Sequence, residues 1–203
     1  MSEPDEFRSD PTVLMCHQAL DEFLTVAVGQ YQLITPDAPL PCFALLLGNV
    51  EGATLHVEQV AFGRNARTSD PAARSEFSEA IVPQFGSAYE NEHRGWWVDS
   101  SDLLRISKKA DALGLDLLGS IHMHPDWHRI GPPGERGCVL SEQPTPMDQY
   151  VFGNTAWPIN IICYLERRGD EFYHALAAWA PPEAGHRCTE IPLRVRTRTP
   201  VGM

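Results

Sequence analysis

Short apolar runs alternate with helix-periodic segments along the chain, and that alternation limits the possible folds more than any other feature of the sequence. Phe43-Ala-Leu-Leu-Leu-Gly48 has the composition of a fully buried strand, and Asn49 to Gly52 reads as a turn into a second strand over Thr54–Phe62. Leu115 to His124 is another strand-like run, ending at Pro125. Ile159–Leu165 and Phe172–Trp179 read as a strand pair around the Arg168-Gly169 turn, and Trp96-Trp97-Val98 as a short strand. Between these runs, Val13, Cys16, Leu20, Phe23 and Ala27 recur at spacings of three and four, which predicts a helix capped near Asp10-Pro11 or Thr12 and stopped at Gly29. Leu103, Ile106, Ala110 and Leu113 share one face of a further helix, with Asp99-Ser-Ser101 as cap candidates and Gly114 at its C-terminal end. Pro36, Pro39 and Pro41 cannot continue a helix, so residues 35–41 read as a linker feeding a strand. Residues 63–95 are expected to be loop, with one helix near Ala73–Phe77. The pattern as a whole predicts an α/β fold in a single layered domain over residues 11–182, with a loose tail at 1–10 and a C-terminal extension at 183–203.

Composition narrows the function classes. A chain of 203 residues with 43% hydrophobic residues has enough interior for one ordinary domain. Sixteen Lys and Arg against 27 Asp and Glu give a net charge of −11, which argues against a general nucleic-acid or anionic-membrane binder. No apolar stretch approaches the ~18 residues of a membrane span, and MSEPDEFRSDP has neither a basic start nor an apolar signal core. The expectation is a soluble, cytoplasmic protein. The five cysteines are far apart and include no C-x-x-C pair, so they are expected to be free thiols.

The residues that carry chemistry are His122, His124, Thr145 and Asp148. Side chains at i and i+2 of a strand leave the same face, so His122-Met123-His124 presents two imidazoles side by side at a strand's C-terminal end. Thr145-Pro146-Met147-Asp148 has a cap residue, a proline at the first helical position and an acid three residues after the cap. The positive end of the helix dipole there favours the ionised carboxylate. Two imidazoles and one carboxylate are three protein ligands, the set that leaves zinc an open coordination position for water in catalytic sites. A metal so held acidifies water and polarises a carbonyl.

Gly119-Ser-Ile-His122-Met-His124-Pro125, followed by Thr145-Pro-Met-Asp148, resembles the H-x-H-P…S-x-x-D motif of the JAMM (MPN+) metalloproteases. Phe43–Gly48 resembles that family's first core strand, Val98-Asp-Ser-Ser-Asp-Leu-Leu its helix lead-in, and Phe172–Trp179 a late strand, so roughly residues 13–180 are covered. The resemblance implies a central mixed sheet flanked by helices and a zinc hydrolase of amide or isopeptide bonds. It makes His122, His124 and Asp148 the zinc ligands. Thr145 stands where the family has a serine whose hydroxyl helps hold the reacting oxygen. The substrates implied are a ubiquitin-like or sulfur-carrier protein tail, or a small amide. The position of the family's catalytic glutamate corresponds here to Pro41, and the connection over residues 125–144 is longer than the family's usual one.

A general base must therefore come from elsewhere. Glu142 and Asp37 are the first candidates, with Asp126 and Glu135 behind them, while His128 is a candidate third imidazole or proton shuttle. Cys42 and Cys138 lie near in sequence, but nothing marks either as an activated thiolate. Two rival readings stay open: a non-catalytic MPN-like scaffold, suggested by Pro41, and a mononuclear iron site, since two histidines and a carboxylate also suit iron. The oligomeric state is not legible in the sequence.

Overall fold

A computed structural model describes residues 10–134, 143–183 and 187–197. Its strands are β1 (Thr12–Cys16), β2 (Phe43–Glu51), β3 (Thr54–Ala61), β4 (Asp116–Pro125), β5 (Ile159–Arg168), β6 (Glu171–Trp179), β7 (Glu190–Ile191) and β8 (Leu193–Arg196). The helices are α1 (His17–Tyr31), α2 (Pro71–Glu76), α3 (Val82–Phe85), α4 (Ser100–Ala112), α5 (Trp127–Ile130) and α6 (Pro146–Thr155), with a π-turn at Phe77–Ile81 between α2 and α3. The fold is mixed α/β, built on one mixed sheet in the order β7-β6-β5-β4-β2-β3-β1-β8. β4 and β5 run parallel, as does β1 with both β3 and β8, and the remaining neighbours are antiparallel.

The two outermost strands, β7 and β8, are separated in the chain by Pro192 alone, so the sheet curls until its edges nearly meet and approaches a barrel. Both strands come from the segment set apart in the sequence as a C-terminal extension. Inside the curl, Phe23, Ala19, Leu20 and Ala27 of α1 pack with Ala44 and Leu46 of β2, Ile121 and Met123 of β4, and Ile161 and Cys163 of β5. The alternate residues point to the other face. There Leu45 and Leu47 meet Ile106 and Ala110 of α4, while Ile162 and Trp179 meet Phe152 of α6. His122 and His124 belong to this outer set, because the period of two that buries Ile121 and Met123 inward turns their neighbours outward.

Close approach between strands sets the register beside the histidines. A Cβ on Gly119 would stand 1.7 Å from the Ile159 carbonyl oxygen, and one on Gly48 would stand 1.7 Å from that of His56. Neither position has room for a side chain. The pairings Phe43↔His122 and His122↔Ile162 follow on either side of β4.

Several expectations need correction. Thr12–Cys16 is a strand, and the helix starts only at His17 and runs past Gly29 to Tyr31. Val13 and Met15 are both fully buried, so period two governs this stretch, and it is held by parallel pairing to β3 and to β8 from the far end of the chain. Trp96-Trp97-Val98 forms no strand: only Val98 makes an isolated bridge, to Asn65, while Trp96 stacks on Phe43. Residues 71–90 are more helical than expected, with Asp70 capping α2 and Phe77 and Ile81 buried one turn apart. The two helices flanking the histidine strand do follow the expectation. Asp99 caps α4, Gly114 follows it with φ +68°, and Thr145 caps α6.

Candidate metal centre

The site forms where the C-terminal half of β4 meets the N-terminus of α6. His122 and His124 leave the same face of β4, and their Nε2 atoms stand 2.9 Å apart. Asp148, in the first turn of α6, places Oδ1 at 3.2 Å from His122 Nε2 and Oδ2 at 3.4 Å from His124 Nε2. These ligand atoms all lie within 4.8 Å of one another, a His/His/Asp group that could hold a metal ion. Donors about 2.0–2.1 Å from one tetrahedral zinc ion stand roughly 3.3 Å apart, so the spacing and the donor types fit such an ion.

Thr145 builds the carboxylate's position. Its backbone N–H and its hydroxyl each donate to Asp148 Oδ2 at 2.7 Å, and its hydroxyl oxygen accepts from the Asp148 backbone N–H at 3.2 Å. This reciprocal capping box fixes the acid while leaving Oδ1 facing His122. The hydroxyl hydrogen of Thr145 thus points to the Asp148 carboxylate.

The electrostatics favour the ligand forms. His122 is buried, and desolvation holds its pKa below the ordinary imidazole range despite the opposing pull of Asp148. Burial alone would raise Asp148, but the charge of His124 and hydrogen bonds from both histidines outweigh it, and the carboxyl lies well below its usual range. A neutral imidazole beside an ionised carboxylate is what a divalent cation requires. His122 Nδ1 is buried without a hydrogen-bond partner among the described residues, so packing orients this ring: Trp96 lies at 6.1 Å and Phe152 at 5.9 Å between centroids. Tyr164 meets the His124 ring edge-on at 5.6 Å.

The group opens into a cavity of about 290 Å³, walled by Pro39, Pro41, Trp96, Trp127, Val151 and Phe152. Pro39, Arg94 and Trp127 also line a second recess. Asp37 lines that second recess and is exposed, so the structure does not bring it to the ligand group. Glu142, Glu135 and Cys138 lie outside the described residues. Asp126 is 1% exposed and turned away from the cavity, accepting from the Tyr31 hydroxyl at 2.5 Å. Cys42 belongs to the core, where burial pushes its thiol up to about 12, and Cys163 is raised to about the same value. Cys16, Cys42, Cys163 and Cys188 are free thiols, as expected. His128 does line the cavity. Phe152 escaped the sequence reading, although its place one helical turn beyond Asp148 puts it on the ligand's face of α6.

No family model matches the chain, and no curated protein matches it. Among solved structures, the chain is similar to protein DSY2949 of Desulfitobacterium hafniense, known from a solution structure, with 14% identity and a TM-score of 0.56. The likeness covers 93% of this chain and 96% of that one, and it concerns the fold alone. No helix among the described residues is long and apolar enough to cross a membrane.

Proposed function

We propose that this protein is a zinc-dependent hydrolase of the JAMM type, which cleaves an amide, peptide or isopeptide bond. The observation that carries the reading is the convergence of His122, His124 and Asp148 to within 4.8 Å at the head of an apolar cavity. Zinc, when bound by these three side chains, supplies Lewis acidity to a substrate carbonyl and acidifies water at its open position. Thr145 holds Asp148 in the ligating orientation, while Trp96 and Phe152 fix the His122 ring. The aromatic and proline walls bind the apolar part of the substrate and exclude bulk water, which strengthens every polar contact inside. A ubiquitin-like or sulfur-carrier protein tail and a small amide are the substrate classes consistent with this cleft, and the acidic surface gives no support to a nucleic-acid substrate.

Elemental analysis of the purified protein is the deciding measurement, with the His122→Ala, His124→Ala double variant beside it. Near-stoichiometric zinc that is lost in the variant supports the reading and leads to screening of amide and isopeptide substrates. Iron in place of zinc moves the site to the oxygenase class that shares this ligand set. A second reading, a non-catalytic MPN-like scaffold, is favoured by Pro41, which brings no carboxylate to the cavity wall. Absence of metal even after zinc addition, together with stable copurification of a partner, would establish that alternative.

A further inference from the structure

We infer that His128 is the proton-transfer residue of this site, in the role for which Pro41 offers no acid; the inference rests on the hydrolase reading above. His128 lies on α5, a single turn fixed directly after β4. The Asp126 backbone N–H donates to the Leu165 carbonyl at 3.0 Å, and the Asp126 carbonyl accepts from Arg129 and Ile130 at 2.8 and 3.3 Å. The buried Asp126 side chain, held by Tyr31, anchors this turn to α1. His128 is thus brought to the same cavity wall as the ligand group by backbone that is hydrogen-bonded on both sides.

Elimination among the described side chains points the same way. Besides the three ligands, the cavity-lining side chains that carry exchangeable protons are Tyr89, Arg94, Trp96, Trp127, Thr145 and His128, of which the two indoles only donate. An arginine stays protonated, a phenol holds its proton far above neutrality, and the Thr145 hydroxyl is committed to Asp148. An imidazole is the side chain that both accepts and returns a proton near pH 7. His128 also stands outside the ligand cluster, which among the described residues contains only His122, His124 and Asp148. Its Nδ1 is sealed from solvent and has no hydrogen-bond partner among the described residues, which leaves Nε2 to exchange the proton.

The proton balance is complete without a further reactant. His128 Nε2 takes one proton from the attacking water as the water oxygen bonds to the carbonyl carbon. The C–N bond then breaks with its electron pair on nitrogen, and Nε2 returns the proton to that nitrogen. Acid and amine leave, and the imidazole is neutral again.

The test uses the zinc-loaded full chain and acetohydroxamate, a zinc ligand that gives up a proton on binding, followed by calorimetry in buffers of different ionisation enthalpy. With His128 as acceptor, the proton stays on the protein and almost none reaches the buffer. His128→Gln should release about one proton per acetohydroxamate and bind it about tenfold more weakly, the loss of roughly one polar contact, with unchanged zinc content. In His128→Ala, added imidazole should restore the original proton count. Equal proton release and affinity in the unaltered protein and His128→Gln would overturn the assignment. So would loss of zinc in His128→Gln, which would make His128 a ligand, or a change that appears in Glu142→Gln and not at His128. Absence of zinc from the unaltered protein would instead overturn the hydrolase reading itself, and the role of His128 with it.

Discussion

The Thr145 hydroxyl donates to Asp148 Oδ2 across 2.7 Å while accepting the backbone N–H of the same residue, so one side chain both caps α6 and aims a carboxylate that could hold a metal ion. Thr145→Ala should therefore lower two quantities together. Loss of the cap costs about 1 kcal/mol of stability, read by urea unfolding of the metal-free protein. Loss of the bond that orients Asp148 should weaken zinc binding about tenfold or more, read by competition with a chelator. Thr145→Ser keeps the hydroxyl and should restore both. A stability loss in Thr145→Ala with unchanged zinc affinity would limit Thr145 to capping.

The buried histidine makes the metal-free protein sensitive to acid, and the sign follows from the shift. Burial depresses the pKa of His122 in the folded state, so the unfolded chain takes up a proton at about pH 6.5 that the folded chain still refuses. Stability should fall as pH drops below that value, until the depressed folded pKa is reached. Asp148 acts at lower pH: its depressed pKa contributes stability that is present above the ordinary carboxylate range and lost as pH falls through its folded value. Urea unfolding at pH 5.5 and 7.5 reads the first effect. His122→Gln, which does not titrate, should flatten that slope, and an unaltered slope would mean that another group carries it.

The readable parts of the sequence were those whose signals are local. Asp99 and Thr145 announced their helices by caps, and β5 and β6 by apolar runs around Gly169. The His122, His124 and Asp148 group was legible because a strand's period of two and a helix's first turn place side chains without reference to the rest of the chain. β1 was not, since Val13 and Cys16 also satisfy a helical period and its partners lie on β3 and on β8, far along the chain. The helical stretch at 71–90 was hidden by polar composition, although Ala73, Phe77 and Ile81 recur at four and are all buried. His128, Trp96 and Phe152 reach the cavity from three separate segments, and no local spacing records such a convergence.

Gly119 should be the least replaceable residue of the histidine strand outside the ligands themselves. A methyl group there would meet the Ile159 carbonyl oxygen at 1.7 Å, and the obstacle is backbone that can yield only by parting β4 from β5. Gly119→Ala should cost about 3 kcal/mol, at the upper end of overpacking. Because His122 lies three residues further along the same strand, zinc content should fall as well. Urea midpoints and elemental analysis test both, and a variant of unchanged midpoint would contradict the close approach of the two strands.

The wall that carries His128 depends on a hydrogen bond made on the other side of the sheet. Tyr31, at the C-terminal end of α1, is 5% exposed and donates to Asp126 at 2.5 Å, while Arg129 approaches the other carboxylate oxygen at 3.8 Å. Burial, then the bond to Asp126 and its charge, push the Tyr31 phenol well above its usual range, so the hydroxyl remains a donor throughout the working pH range. Tyr31→Phe keeps the edge-to-face packing on Phe172 at 5.2 Å and removes only this donor. Leaving a buried carboxylate short of its partner should cost about 2 kcal/mol. Asp126→Asn retains an oxygen that accepts the Tyr31 proton and should cost less. Neither variant touches His122, His124 or Asp148, so metal content should stay constant while hydrogen exchange accelerates at Arg129 and Ile130, whose amides hang on the Asp126 carbonyl. Exchange at those two amides that is unchanged in Tyr31→Phe would show that α5 is held by its backbone bonds alone.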